Sequence, residues 1–288
     1  MQMVHRPKIT IITAVYNCVE KIEQCISSVV NQTYNNLEYI IIDGGSTDGT
    51  VEVIKKYDAK ISYWCSEPDK GIYDAWNKGV SHATGDYINF IGSDDAMYGN
   101  EVIENIITYL DNDVDVLAGN IIIVNEKNAF ELLKNNGRIK DKSNYKGGCI
   151  VTQGAFVRRE LCAKYKFDTS YKVASDYKFF LQYYYDESVR IKFIDDVIQY
   201  FSDGGVSSTE FDFVKQEDNK IYKEFGLEKL IDCHLSESES VFRGKMKEYC
   251  KRLGVFDLIQ RIYRPYIKGD WKKHHCTNKI CRWCERYE

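Results

Sequence analysis

Apolar and polar positions alternate in two rhythms along the first hundred residues. The run Lys8-Ile9-Thr10-Ile11-Ile12-Thr13-Ala14 is short and β-branched, the pattern of a buried strand. After it, Val19, Ile22, Ile26, Val29 and Val30 recur at helical spacing, with Asn17 placed to cap that helix. Leu37 to Ile42 is a second strand-like run, stopped by Asp43-Gly44-Gly45. Thr50 opens a helix through Val51, Ile54 and Tyr57, Ile61 to Cys65 makes a third strand, and Gly71 precedes a helix through Ala75 and Val80. Asp86 to Ile91 is a fourth strand, ending at Gly92-Ser93-Asp94-Asp95. This alternation predicts an α/β fold, a mostly parallel sheet flanked by helices. Ligands of such sheets lie beyond the carboxyl ends of the strands. The informative residues are therefore Ala14 to Asn17, Asp43 to Asp48, Ser66 to Asp69 and Gly92 to Asp95.

The middle of the chain is less regular. Glu101 to Leu110 reads as a helix, Val114 to Val124 as a strand, and 135–146 with Gly147-Gly148 as a polar loop. Cys149 to Val157 reads as a strand and Arg159 to Tyr165 as a short helix. Ser175 to Tyr185 reads as a helix with an aromatic side. Arg190 to Phe201 gives one or two strands before Ser202-Asp203-Gly204-Gly205, and the pattern is helical from Glu210 onward. The expected organisation is a body over 1–208 and a helical extension over 209–288.

Composition sharpens this division. The 288 residues are 44% hydrophobic with three prolines, enough for one domain of roughly 200 residues and a smaller appendage. No apolar run is long enough to span a membrane. The polar start, Met1 to Pro7, lacks the apolar core of a signal peptide, so a cytoplasmic address is expected. Several of the ten cysteines, among them Cys18, Cys25, Cys65, Cys149 and Cys162, sit in apolar stretches and are expected as free thiols. The net charge of -4 conceals 13 Lys/Arg against 5 Asp/Glu from Val241 to Glu288, leaving 26 against 38 in the rest. An acidic body with a basic tail points to a segment that meets something anionic, or to a solvated basic helix pair.

Several strand-end groups carry chemistry, each beside a plainer explanation. Asp43 is turn chemistry, or a carboxylate that accepts from a base edge. Asp94-Asp95 is an exposed turn, or the pair of carboxylates that holds a hard divalent ion with phosphate oxygens completing its shell. Asp176 caps an aromatic helix, and a capping carboxylate at a cleft wall can also act as a base. Gly204-Gly205 is a tight turn, or a place where backbone approaches a phosphate.

In order, these segments resemble family 2 glycosyltransferases of the GT-A fold, most closely the bacterial members that build surface polysaccharides such as O-antigen or capsule. The resemblance runs through Ile11-Ile12-Thr13-Ala14-Val15-Tyr16-Asn17 and Ile41-Ile42-Asp43-Gly44-Gly45-Ser46-Thr47-Asp48-Gly49-Thr50. It continues with Glu67-Pro68-Asp69-Lys70-Gly71-Ile72-Tyr73-Asp74-Ala75-Trp76-Asn77-Lys78-Gly79, Ala83-Thr84-Gly85-Asp86-Tyr87-Ile88 and Ser93-Asp94-Asp95. Gln153-Gly154-Ala155-Phe156, Ala174-Ser175-Asp176-Tyr177 and Gly204-Gly205-Val206-Ser207 complete it, over about residues 8 to 208.

The resemblance implies an inverting, metal-dependent transferase that takes a sugar from a UDP-sugar. It places Ala14 and Tyr16 at the nucleoside, Asp43 on the uracil imide, and Asp74, Asn77, Ser93 and Asp94 around the donor nucleotide. It gives Asp95 and Asp94 to Mg2+ or Mn2+, and makes Asp176 the base for the acceptor hydroxyl. Gln153, Gly204 and Gly205 fall on the acceptor side. Two departures stand out: Gly92 replaces the first Asp of the family's common Asp-x-Asp-Asp, and Trp76 stands where Arg is common, so a phosphate contact expected there is either missing or supplied by Lys70 or Lys78. A non-catalytic nucleotide-sugar-binding protein of the same fold is the alternative, though it would be expected to lack Asp176 or the Asp94-Asp95 pair. A nucleotidyltransferase would carry a Gly-rich basic signature where this chain has Val15-Tyr16-Asn17-Cys18.

The tail keeps three readings. His274-His275-Cys276 with Cys281 and Cys284 resembles a zinc knuckle. Basic residues interleaved with Tyr263, Tyr266, Trp271 and Trp283 suit a helix on an anionic membrane surface, at the inner face of the cell membrane. That placement agrees with an acceptor glycan carried on a lipid diphosphate. The third reading is a helical cap on the body. Nucleic-acid binding has no motif behind it.

Overall fold

Strands β1 (Ile9–Val15), β2 (Leu37–Asp43), β3 (Tyr63–Ser66) and β4 (Tyr87–Gly92) pair in parallel in the order β3-β2-β1-β4. The computed structural model describes residues 6–111, 113–125, 130–134, 150–203, 211–228 and 272–273. Parallel pairing requires a crossover after each strand, and α1 (Ile22–Val30), α2 (Thr50–Lys56) and α3 (Ile72–His82) supply them. Helices on both faces explain why the strands read as continuous apolar runs. Along β1, Ile9, Ile11 and Val15 pack with Ile22, Ile26, Val29 and Ile54, whereas Ile12 and Ala14 pack with Tyr73, Trp76 and Phe90. Ile9, Ile11 and Ile12 are fully buried, each worth about 1.5–3 kcal/mol in apolar transfer.

Beyond β4 the sheet becomes mixed. The short β5 (Ala96–Met97) and α4 (Val102–Ile106), prolonged by a 3-10 turn over Ile107–Tyr109, lead to β6 (Val116–Val124) and β7 (Phe130–Lys134). A 3-10 turn at Thr152–Gly154 precedes β8 (Ala155–Arg158), α5 (Arg159–Tyr165), α6 (Ser175–Tyr184) and β9 (Ile191–Ser202). β8 joins β4 to β6, antiparallel to both, and β9 runs parallel to β6 and antiparallel to β5. β7 is antiparallel to β6 and to β10 (Lys272–Lys273). The carboxyl ends of β1, β2, β4 and β9 therefore point the same way.

Three expectations change. Of the stretch expected as a strand up to Val157, the described residues are in strand only from Ala155, and the side chain of Asn89 donates to the carbonyls of Gln153 and Ala155 beside the turn. Arg190 to Phe201, left open between one strand and two, is one strand. Asn17 does not cap α1, which begins at Ile22. Its backbone is left-handed, with φ 46°, and its side chain accepts the amide of Thr47 instead. Helix α7 (Phe211–Glu224) is part of the body: Ile221 and Tyr222 are buried, and Ile221 packs into the cluster that holds Phe179 and Phe180. The loop 135–146, Gly204, Gly205 and the His/Cys cluster lie outside the described residues. Cys18, Cys25, Cys65 and Cys162 are free thiols, and burial pushes Cys25 up to about 12. Among the described residues no helix is long and apolar enough to cross a membrane.

Candidate active site at the strand ends

The register of the sheet aligns three predicted residues. Val15 is opposite Asp43, Ala14 is opposite Gly92, and Asp43 is opposite Ser66. Past these positions the β1–α1 and β2–α2 loops brace one another. The Ser46 hydroxyl accepts the amide of Asn17 at 2.7 Å, Asn17 Oδ1 accepts that of Thr47, Asp48 Oδ2 that of Val19, and Thr50 Oγ1 that of Cys18. Gly45 and Gly49 turn this ledge with φ of 84° and 104°, conformations that favour glycine. Tyr16 stands on the ledge with 65% of its surface exposed, well placed to offer its ring to a planar ligand. Ala14 is buried beside it.

Asp43 is fully buried at the base of the ledge. Its Oδ2 accepts the amides of Gly45 and Ser46 and the Ser66 hydroxyl at 2.6 Å, and its Oδ1 accepts the Ser46 hydroxyl at 2.5 Å. Four donors offset the cost of burying the carboxylate. The Ser46 hydroxyl is the described donor to Oδ1.

The turn after β4 separates its two carboxylates. Asp95 is 2% exposed, and its Oδ2 and Oδ1 accept the amides of Gly92 at 3.1 Å and Ser202 at 2.9 Å. It thus ties the end of β4 to the end of β9. Asp94 has a side chain 28% exposed, with Lys21 Nζ 3.8 Å away, and Ser93 is half-buried. A Cβ on Gly92 would lie 2.6 Å from Asp95 Oδ2, which explains the glycine there. No described group of three His, Cys, Asp or Glu surrounds a cation position. A hard divalent ion nevertheless suits one or two carboxylates completed by a ligand's phosphates. Of the pair, Asp94 is the more exposed and Asp95 the more buried, with one backbone amide on each of its oxygens.

The β3–α3 loop closes the site from the far side of β2. A Cβ on Gly44 would lie 2.8 Å from Asp69 Oδ2, so the absence of a side chain lets Asp69 pack against the residue after Asp43. Asp74 accepts the amide of Lys70 and lies 3.7 Å from Lys78 Nζ, whose closer partner is Glu67 at 2.9 Å. Asn77 uses its side-chain amide on the backbone of Phe167, donating at 2.8 Å and accepting at 2.9 Å, and so clamps that loop. Trp76 is buried among Tyr73, Phe90 and Phe167, a core residue rather than a phosphate ligand.

Asp176, in the first turn of α6, reaches the first turn of α3, just past this loop. The hydroxyl of Tyr73 donates to its Oδ1 at 3.1 Å across 103 residues of sequence. Burial, then the Asp176 charge, raise the Tyr73 phenol well above its ordinary value. Gln153 is buried in its 3-10 turn. From the other side α7 brings two acidic residues that sequence reading missed. Glu217 accepts the amides of Lys172, Val173 and Ala174, and Asp218 is pushed up to about 6 by burial and then by the charges of Asp176 and Glu217. Neither belongs to a motif, and only the packing of α7 reveals them.

Comparison with known proteins completes the description. Residues 10–166 match the family model for "Glycosyl transferase family 2". A similar protein of Mycobacterium tuberculosis (strain ATCC 25177 / H37Ra), "PGL/p-HBAD biosynthesis glycosyltransferase", is 26% identical over 217 residues, covering 72% of this chain and 81% of the relative. Among solved structures, S. aureus TarS 1-349 in complex with UDP-GlcNAc aligns with a TM-score of 0.57 at 20% identity over 90% of this chain and 78% of that one. The mannosyltransferase PcManGT from Pyrobaculum calidifontis, in complex with GDP-Man and Mn2+, aligns with a TM-score of 0.60 at 15% identity, over 92% and 82%. These two likenesses establish a shared fold.

Proposed function

The chain belongs to glycosyl transferase family 2 and has the GT-A fold, and from that premise we propose that it moves a sugar from a UDP-sugar, with inversion, onto a hydroxyl of a glycan carried on a lipid diphosphate. The setting we infer is synthesis of a bacterial surface polysaccharide such as O-antigen or capsule. The observation that carries the reading is the contact between Tyr73 and Asp176, which brings a carboxylate from α6 to the first turn of α3, after the β3–α3 loop.

The roles are those the family resemblance implies. Tyr16 flanks the base, Ala14 lines the nucleoside, and Asp43 Oδ1 accepts the uracil imide N–H. Ser93 and Asp94 meet the ribose and diphosphate, and Asp74 orders the loop beside them. A divalent cation, Mn2+ as in the mannosyltransferase complex or Mg2+, would be held by Asp94, with Asp95 supporting the turn beneath it. When bound, such an ion stabilises the negative charge that gathers on the departing diphosphate. Asp176 takes the proton from the acceptor hydroxyl as its oxygen bonds to the anomeric carbon and the bond to the UDP oxygen breaks. One displacement inverts the anomeric carbon, so an α-linked donor gives a β-linked product. Gln153, with Gly204 and Gly205 beyond the described residues, belongs to the acceptor side. The basic extension, through its Lys and Arg, rests against the anionic inner face of the membrane that carries the acceptor.

A thermal-shift panel tests the donor. UDP-glucose, UDP-galactose, UDP-GlcNAc and GDP-mannose are each added with and without Mn2+. A donor at a hundredfold its Kd stabilises by about 2.7 kcal/mol, a rise of several degrees. The expected result is stabilisation by a UDP-sugar that depends on Mn2+. Stabilisation by GDP-mannose alone would overturn the choice of nucleotide.

A further inference from the structure

Glu217 lies outside the segment that matches the family, on a helix that follows the sheet. Its side chain is nonetheless among the most deeply placed acidic groups near the site, with the residue 9% exposed. Oε1 accepts the amide of Lys172 at 2.7 Å, and Oε2 accepts those of Val173 and Ala174 at 2.9 and 3.0 Å. Three successive backbone amides converging on one anion form a concavity that a carboxylate fills well and a neutral group fills poorly. They belong to the residues directly before α6, and Asp176 is the second residue of that helix. No side-chain hydrogen bond caps α6, and Glu217 on α7 supplies a negative charge ahead of its first turn.

We infer that Glu217 is a positioning residue for Asp176: it fixes the 172–174 loop and through it the place of the base at the mouth of α6. This inference rests on the assignment of Asp176 as base. Tyr73 holds Asp176 from the side of the β3–α3 loop, and Glu217 holds the backbone behind it. The two grips together leave the carboxylate little freedom, as a group that must meet an acceptor hydroxyl requires. Displacing a reacting group by about 1 Å costs on the order of a hundredfold in rate. Asp218, next along α7, feels the charges of both Asp176 and Glu217, which places all three carboxylates in one electrostatic neighbourhood.

The packing of α7 keeps this role separable from simple docking of the helix. Glu224, two turns further on, pairs with Lys178 at 2.6 Å and accepts the Tyr171 hydroxyl at 2.6 Å, while Ile221 and Tyr222 are buried. The helix therefore has anchors that do not touch the 172–174 loop.

The test compares Glu217→Gln, Glu217→Asp and Glu224→Gln in the full chain, with Asp176→Asn as the control. UDP release is followed with the most active donor of the panel above, and affinity for UDP with Mn2+ is measured by calorimetry. For Glu217→Gln, kcat is expected to fall between about tenfold and a hundredfold while the UDP Kd and donor KM stay within about twofold. Glu217→Asp, which keeps the charge but is one methylene short, recovers part of kcat. Glu224→Gln lowers the melting temperature yet leaves kcat within about twofold, because its partners, the Tyr171 hydroxyl and Lys178, are side chains and the 172–174 amides keep Glu217. The inference is overturned if Glu217→Gln retains wild-type kcat, or if Glu224→Gln loses as much kcat as Glu217→Gln. Retained turnover in Asp176→Asn would instead remove the base assignment itself.

Discussion

Asp94 and Asp95 are neighbours in sequence with opposite surroundings, and replacing each by asparagine separates a strut from a ligand. Asp95 is 2% exposed and accepts the amides of Gly92 at 3.1 Å and Ser202 at 2.9 Å, one on each oxygen. Asparagine keeps the shape but offers one acceptor, and its NH2 then faces the other backbone N–H. Loss of a hydrogen bond to a charged group costs about 1.5–3 kcal/mol, so Asp95→Asn is expected to destabilise the fold by about 2 kcal/mol. Asp94 is partly exposed and its ion pair with Lys21, at 3.8 Å, is of the surface kind worth about 0–1 kcal/mol. Asp94→Asn should accordingly leave the urea midpoint almost unchanged. Its effect falls on the cation: calorimetry with Mn2+ should show UDP affinity reduced by at least about tenfold, or about 1.4 kcal/mol. The reasoning is refuted if the order reverses, with Asp94→Asn unfolding the protein or Asp95→Asn keeping full stability.

Three further perturbations probe the same structure. Gly92→Ala places a Cβ 2.6 Å from Asp95 Oδ2 and 3.2 Å from Asp94 Oδ1, so urea denaturation should register a loss of about 1–3 kcal/mol. Glu38 is buried, which opposes its charge, but hydrogen bonds from Lys8, Thr84 and Thr10 hold it at about 2 against an ordinary 4.5. A carboxyl lowered in this way stabilises the fold above pH 4.5 and loses that contribution as pH falls toward 2, so the stability gap between wild type and Glu38→Gln should shrink across that range. Asp218 is shifted the opposite way, from 3.8 to about 6, so its ionisation costs stability as pH rises through that window. Asp218→Asn should raise the melting temperature at about pH 7.5 and not at about pH 4, and an equal rise at both would rule out the carboxylate as the cause.

The first four strands are legible in the sequence because a strand buried on both faces must be apolar at nearly every position, and Asp43-Gly44 and Gly92-Ser93 mark where the chain leaves the sheet. The same rule misleads at Cys149 to Gly154. Of that stretch, Thr152–Gly154 forms a 3-10 turn, and Asn89, over sixty residues away, donates to the carbonyls of Gln153 and Ala155 beside it. Trp76 shows the limit of reading by matched position, since its side chain lies in the core with Phe90 and Phe167. Asn77 likewise stands at a matched position, yet spends its amide on Phe167. Asp94 and Asp95 look alike until the amide of Ser202 is brought to one of them. Tyr73 and Glu217 reach the surroundings of Asp176 across 103 and 43 to 45 residues, and no local pattern encodes such contacts.

The base assignment is tested most directly by Asp176→Asn in the full chain, with UDP binding and turnover measured on the same preparation. General-base removal is worth about a hundredfold or more, so UDP release from the donor should fall by at least that factor while UDP affinity with Mn2+ stays within about twofold. Turnover at the wild-type rate would contradict the account.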